Sequence, residues 1–147
     1  MPNPRRLNIS HKRDSALVAT RVTIGKDRMV YVLVADKRLK YPGGKSRIAY
    51  VGTTRKGLSR VARSVAVRAD RILGLAGVRS FSARIVTCRP RQRVRTWRKL
   101  ERALLLTFRE VFGAPPRCNV HGKRMKWADE REYFRSKRLV DLIEELS

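Results

Sequence analysis

Residues 48–64 read Ile-Ala-Tyr50-Val-Gly52-Thr-Thr-Arg-Lys-Gly-Leu-Ser-Arg60-Val-Ala-Arg63-Ser64. The stretch opens as a short apolar run around a tyrosine and is broken by Gly52. Thr53 and Thr54 then offer a turn or a helix cap, and an alanine- and arginine-rich segment follows. That is the pattern of a strand feeding a cationic helix. Such a junction can hold a phosphate, and it is also an ordinary strand–turn–helix connection.

The charge around it favours an anionic partner. The 147-residue chain carries 36 Lys and Arg, 26 of them Arg, against 12 acids, a formal net charge of +24. Self-repulsion of that size destabilises a folded state unless a polyanion offsets it. Nucleic acid is the natural polyanion, because binding releases its counterions, and Arg pairs with phosphate as a planar fork. The length fits one domain, and the hydrophobic content of 42% fits a real core. No segment approaches the ~18 apolar residues of a membrane span. Residues 1–15 are basic and polar, unlike a secretory signal, and read as a flexible basic arm. Cys88 and Cys118 form no metal-spacing motif and are too few to staple a secreted fold. The expected setting is therefore reducing and intracellular, cytoplasmic and close to the nucleoid, with no membrane partner.

Working outward, residues 16–24 are rich in Val, Thr and Ile and predict a strand. A turn at Gly25-Lys26-Asp27 joins it to a second strand over residues 29–35. Residues 36–47, with Pro42-Gly43-Gly44, predict a loop, and residues 48–51 a third strand. Residues 55–74 predict a helix with Leu58, Val61, Val65, Ala69 and Ile72 on one side. Arg60, Arg63, Arg68 and Arg71 gather on the other, with Ser64 among them. Residues 81–88 alternate as a strand. Residues 89–95 form a basic connector, and residues 95–112 a helix whose wide apolar face runs from Trp97 to Phe112. Gly113-Ala-Pro-Pro116 stops it. Residues 128–147 predict a C-terminal helix packed through Tyr133, Val140, Ile143 and Leu146. It is acidic where the rest is basic, so it is expected to dock on residues 16–127 or to recruit a protein partner.

Glu101 is the most informative single residue, a carboxylate set in the apolar stripe of the second helix. Burying it is costly without a partner, which an arginine or a metal ion could supply. Among phosphates and cations, a divalent metal held by one carboxylate makes chemical sense.

In order, the chain presents Val30-Tyr31-Val32, then Tyr50-Val51-Gly52, then Arg60 on a helix. Leu100-Glu101-Arg102-Ala103-Leu104-Leu105 follows on a second helix, and Pro116-Arg117-Cys118-Asn119 after it. This set, spread over residues 28–119, resembles the GIY-YIG endonuclease family. Met29 stands in place of the first family glycine, and Ser64 stands where many members carry His or Tyr.

The resemblance implies an α+β fold: a small three-stranded antiparallel sheet flanked by helices, with an N-terminal extension and a C-terminal helix. It also implies hydrolysis of phosphodiester bonds in duplex or branched DNA. Glu101 would bind one Mg²⁺ or Mn²⁺, Arg60 would neutralise the phosphate, and Tyr31 or Tyr50 would activate water while the other positions it. Asn119 would hold the local hydrogen bonds, and Lys56, Arg63 and Arg71 would grip the backbone. Two alternatives remain: a non-catalytic nucleic-acid-binding module of the same fold, and a basic RNA-binding protein.

Overall fold

The computed structural model describes residues 5–20, 28–120 and 122–147. Its centre is a three-stranded antiparallel sheet in the order β2-β1-β3, formed by β1 (Met29–Tyr41), β2 (Gly44–Thr54) and β3 (Phe81–Val86). Helix α1 (Leu58–Leu73) covers one face. Helix α2 (Thr96–Phe112), the single turn α3 (Glu130–Tyr133) and α4 (Ser136–Leu146) cover the other. This is the α+β arrangement expected.

Strand β1 is central and sandwiched, so both its faces must be apolar, and Met29 to Leu33 is an unbroken buried run. Met29, Tyr31 and Leu33 join the cluster under α1, whereas Val30 and Val32 pack with Leu104 and Phe108 of α2. In β2 the alternation is interrupted. Leu33 pairs with Tyr50 but Val34 pairs with Ile48, leaving Ala49 as an extra bulged residue. Tyr50 shares a face with Tyr31 by plain alternation from Gly52, and their ring centroids lie 5.9 Å apart. The bulge puts Ala49 in the same cluster under α1 and turns Ile48 into the α2-side core.

Four expectations need correction. The strand over residues 16–24 is not formed where it is described: residues 16–20 are exposed and outside any strand. Its remainder, and the turn at residues 25–27, lie outside the described residues. Both edges of β1 are taken by β2 and β3, so no place beside it is left for that strand.

The loop over residues 36–47 is instead the distal half of a long hairpin, turning at Pro42-Gly43. Contact with the end of α2 overrides its polar pattern. The Gly43 N–H donates to the Phe112 carbonyl at 2.8 Å, and a Cβ on Gly43 would lie 2.8 Å from the Val111 carbonyl oxygen. The Tyr41 ring packs edge-on against Phe108 with centroids 5.0 Å apart.

The C-terminal helix is broken at Phe134 and Arg135, both extended. Phe134 packs against the α2-side core, and the ion pairs of Asp129 and Glu130 fix α3 to α2. Leu139 and Ile143 are the fully buried residues of α4, with Val140 and Leu146 half-buried.

Helix α1 also begins later than Arg55. Thr53 and Thr54 end β2 rather than capping the helix, and Gly57, with φ 75°, occupies the N-cap. Helix α2 ends as expected, at a left-handed Gly113 whose N–H bonds the Arg109 carbonyl at 2.7 Å. Among the described residues no helix is long and apolar enough to cross a membrane.

Candidate active site

Gly52 pairs with Tyr31 across the sheet, and its missing side chain is what admits the two phenols. A Cβ there would lie 2.6 Å from the Tyr31 hydroxyl and 2.6 Å from the Tyr50 ring, closer than carbon atoms can pack. The Tyr31 hydroxyl hydrogen-bonds the Ser64 hydroxyl on α1. The Arg68 guanidinium, one turn further along, donates to that same Ser64 oxygen at 2.7 Å. It also lies over the Tyr50 ring, 4.0 Å from its centroid. Ser64 thus joins Tyr31 to Arg68, and Arg68 in turn covers Tyr50.

Periodicity groups Arg68 with Ser64 on one side of α1, and the two do bond there. Unlike the exposed Arg60, Arg63 and Arg71, Arg68 is half-buried and folds back over the Tyr50 ring.

The Tyr50 phenol is pushed well up. Burial is the main cause and neighbouring Tyr31 adds to it; Arg68 pulls the other way, and the charge on Glu101 pushes up again. Glu101 itself is half-buried and forms no hydrogen bond or ion pair among the described residues. Burial raises its pKa, and the charges of Arg98 and Arg102 only partly offset that.

Glu130, on the far side of α2, is the contrasting case, only 1% exposed. Burial pushes it up too, but the Arg102 guanidinium at 2.7 Å and the Ala128 N–H at 2.7 Å outweigh burial and hold it below the usual range.

Arg60 and Lys56 line a cavity of about 320 Å³ between the start of α1 and the start of α2. Thr53 and Thr54 close it from β2, and Trp97 and Arg98 from α2. Its charged lining residues are all cations: Arg55, Lys56, Arg60 and Arg98. Neither helix has an acid in its first turn, so both N-terminal dipole ends add to the positive potential. Trp97, Arg98 and Arg55 were not singled out in the sequence. Trp97 reads there as one more apolar residue of the α2 stripe.

Asn119 has a structural task that the sequence only outlines. Its side-chain oxygen accepts the Val51 N–H at 3.0 Å and its amide nitrogen donates to the Val51 carbonyl at 2.9 Å. The Cys118 N–H adds a bond to the Ala49 carbonyl at 2.8 Å. Together they satisfy the outer edge of β2 on either side of Tyr50, beside the bulge at Ala49. Arg71 is drawn away from the phenols and donates to the Arg117 carbonyl at 3.1 Å. Arg63 is exposed on α1.

Among the described residues there is no group of three or more His, Cys, Asp or Glu side chains. A protein-only cage of the calcium or zinc kind therefore does not fit these residues. A hydrated Mg²⁺ does fit, because it is commonly held by one or two carboxylates plus substrate phosphate, and Glu101 is a carboxylate with no direct ion pair among the described residues. Comparison with protein-family models, curated proteins and solved structures gives no match.

Proposed function

We propose that this chain is a metal-dependent DNA endonuclease whose site is organised as in the GIY-YIG family. The observation that carries the proposal is the half-buried Glu101, with no ion-pair partner among the described residues, one turn along α2 from Arg98 of the cation-lined cavity. A purely structural glutamate would be paired, as Glu130 is with Arg102.

Arg60 and Lys56 take the phosphate oxygens, supplying fixed positive charge where negative charge builds up. Glu101 would hold the metal, and a divalent ion there would stabilise charge on the phosphate and on the departing 3′ oxygen. Tyr50, kept neutral by its raised pKa, serves as a hydrogen-bond donor that positions the water. The base role falls to Tyr31, acting as the phenolate beside the Ser64 hydroxyl that Arg68 also contacts. Water adds to phosphorus as it gives its proton to Tyr31, the bond to the 3′ oxygen breaks, and that oxygen takes a proton from solvent. Asn119 fixes the β2 edge and acts through Tyr50 as a positioning residue. The substrate is duplex or branched DNA.

The upward push on Tyr50, and the serine at position 64, favour one second reading: a nucleic-acid-binding module that keeps this arrangement without cutting. Incubation with supercoiled and branched DNA, with and without Mg²⁺ or Mn²⁺, separates the two. The nuclease reading predicts metal-dependent cleavage that Glu101→Ala abolishes while DNA binding survives. Tight binding with no cleavage of any substrate supports the second reading, and a strong preference for structured RNA would overturn the DNA assignment.

A further inference from the structure

The connector between β3 and α2 places Arg89, Arg91, Arg93 and Arg95 at alternate positions. All four are exposed, and none of their guanidinium groups makes a hydrogen bond or ion pair with the described residues. Four uncompensated cations in seven residues are a concentrated positive patch even in this chain.

The connector is also built rather than loose. Arg91 and Val94 form a bridge, with the Val94 N–H donating to the Arg91 carbonyl at 3.2 Å. Val94 is half-buried, and the Arg91 guanidinium lies 5.4 Å from the ring centroid of Tyr133 on α3. Between them, Arg93 has φ 62°, the one non-glycine with positive φ among the described residues. A turn with positive φ at its third residue normally takes Gly or Asn there. Arg is a poor conformational choice, which points to a need for its side chain.

Arg95 and Arg98 then stand at the start of α2, against its dipole, where anions are favoured and cations are not. An external anion relieves the repulsion and the dipole conflict together. At about 1.5 Å per residue, Arg95 precedes Glu101 by about 9 Å along α2. DNA offers a phosphate every ~3.4 Å of axis on each strand, so this connector meets phosphates about two or three steps from the one cut.

We propose that residues 89–95 form a preformed rail for the DNA backbone, continuous with the cavity at Arg98 but outside the cleavage machinery. The proposal rests on DNA as the substrate and is independent of whether cleavage occurs.

The test measures binding to a short DNA duplex over a salt series, without added metal, in a Glu101→Ala background. Replacing Arg89, Arg93 and Arg95 together by Gln is expected to make the slope of log K against log salt shallower by about 2–3, at ~0.9 per lost phosphate contact. Arg93→Gly should reduce that slope by about 1 while leaving Tm equal or higher. A merely structural Arg93 would do the reverse, lowering Tm and leaving the slope alone. An unchanged slope in the triple variant overturns the rail, whatever the cleavage assay shows. A reduced slope without any cleavage upholds the rail and removes only the nuclease. An effect confined to structured RNA overturns DNA as its partner.

Discussion

Alternate residues of β1 meet two unlike environments. Val30 and Val32 enter a continuous apolar layer with Leu104, Phe108, Leu139 and Ile143. Tyr31, one residue between them, enters a thinner layer containing a second phenol and, on α1, a serine and an arginine. The two glutamates that flank α2 differ in the same way. Glu130 is fully buried, doubly hydrogen-bonded and held acidic, whereas Glu101 is half-buried, unpaired and pushed up. One side of the sheet is apolar throughout, and the other adds hydrogen-bonded phenol, serine and arginine groups to its apolar core. The near end of α2 carries the unpaired Glu101, and polar and perturbed groups beside a stable scaffold are where function is sought first.

The comparison predicts a graded set of outcomes. The largest is on the scaffold side. Phe108→Ala, emptying the contact between Tyr41 and Phe112, should cost about 3–5 kcal/mol by chemical denaturation. A loss below about 1 kcal/mol would mean that the core does not sit there.

Glu130→Gln comes next, at about 2–3 kcal/mol, since it strips a charge partner from Arg102, which is itself partly exposed. The pH dependence follows from the sign of the shift. The folded-state pKa of Glu130 is depressed, so its contribution is complete above the unfolded carboxyl pKa. It is lost as pH falls through the lower folded value. The wild-type advantage over Glu130→Gln should therefore disappear in acid; a difference that persists there contradicts the pairing.

Gly52→Ala should cost about 1–3 kcal/mol through the clash with both tyrosine rings. It should also impair cleavage beyond that loss, because the phenols must separate. A variant with wild-type stability and activity would show that the two rings are not packed over Gly52.

Much of this difference was legible in the sequence. The run from Val30 to Val32, both long helices and the stop at Gly113 follow from periodicity and breakers, whereas Gly52, read as the end of its strand, lies inside β2, which continues to Thr54. Glu101 stood out because a carboxylate in an apolar stripe conflicts with its neighbours. What could not be read depends on contacts between distant segments. The hairpin over residues 36–47 is polar and glycine-rich, and it forms strands because the end of α2 supports it. Ile48 leaves the face of Tyr50 and joins the α2-side core through a bulge at Ala49, which no spacing rule shows. Arg68 leaves the solvent face because Ser64 and Tyr50 attract it, and a helical wheel treats every arginine alike. The apolar, β-branched residues 16–20 carry a strand pattern, but the central strand has no free edge to accept them.

The most direct measurement is a paired one on Glu101→Gln. The folded pKa of Glu101 is raised, so the wild type loses stability as pH climbs from the unfolded carboxyl value to the folded one, and stays lower above it. An uncharged isostere should therefore raise stability at neutral pH by about 1 kcal/mol, the size typical of relieving a functional compromise. The same substitution should abolish Mg²⁺-dependent DNA cleavage. More stable and inactive is the result this account predicts; a Glu101→Gln protein that still cuts DNA at the wild-type rate with Mg²⁺ present would contradict it.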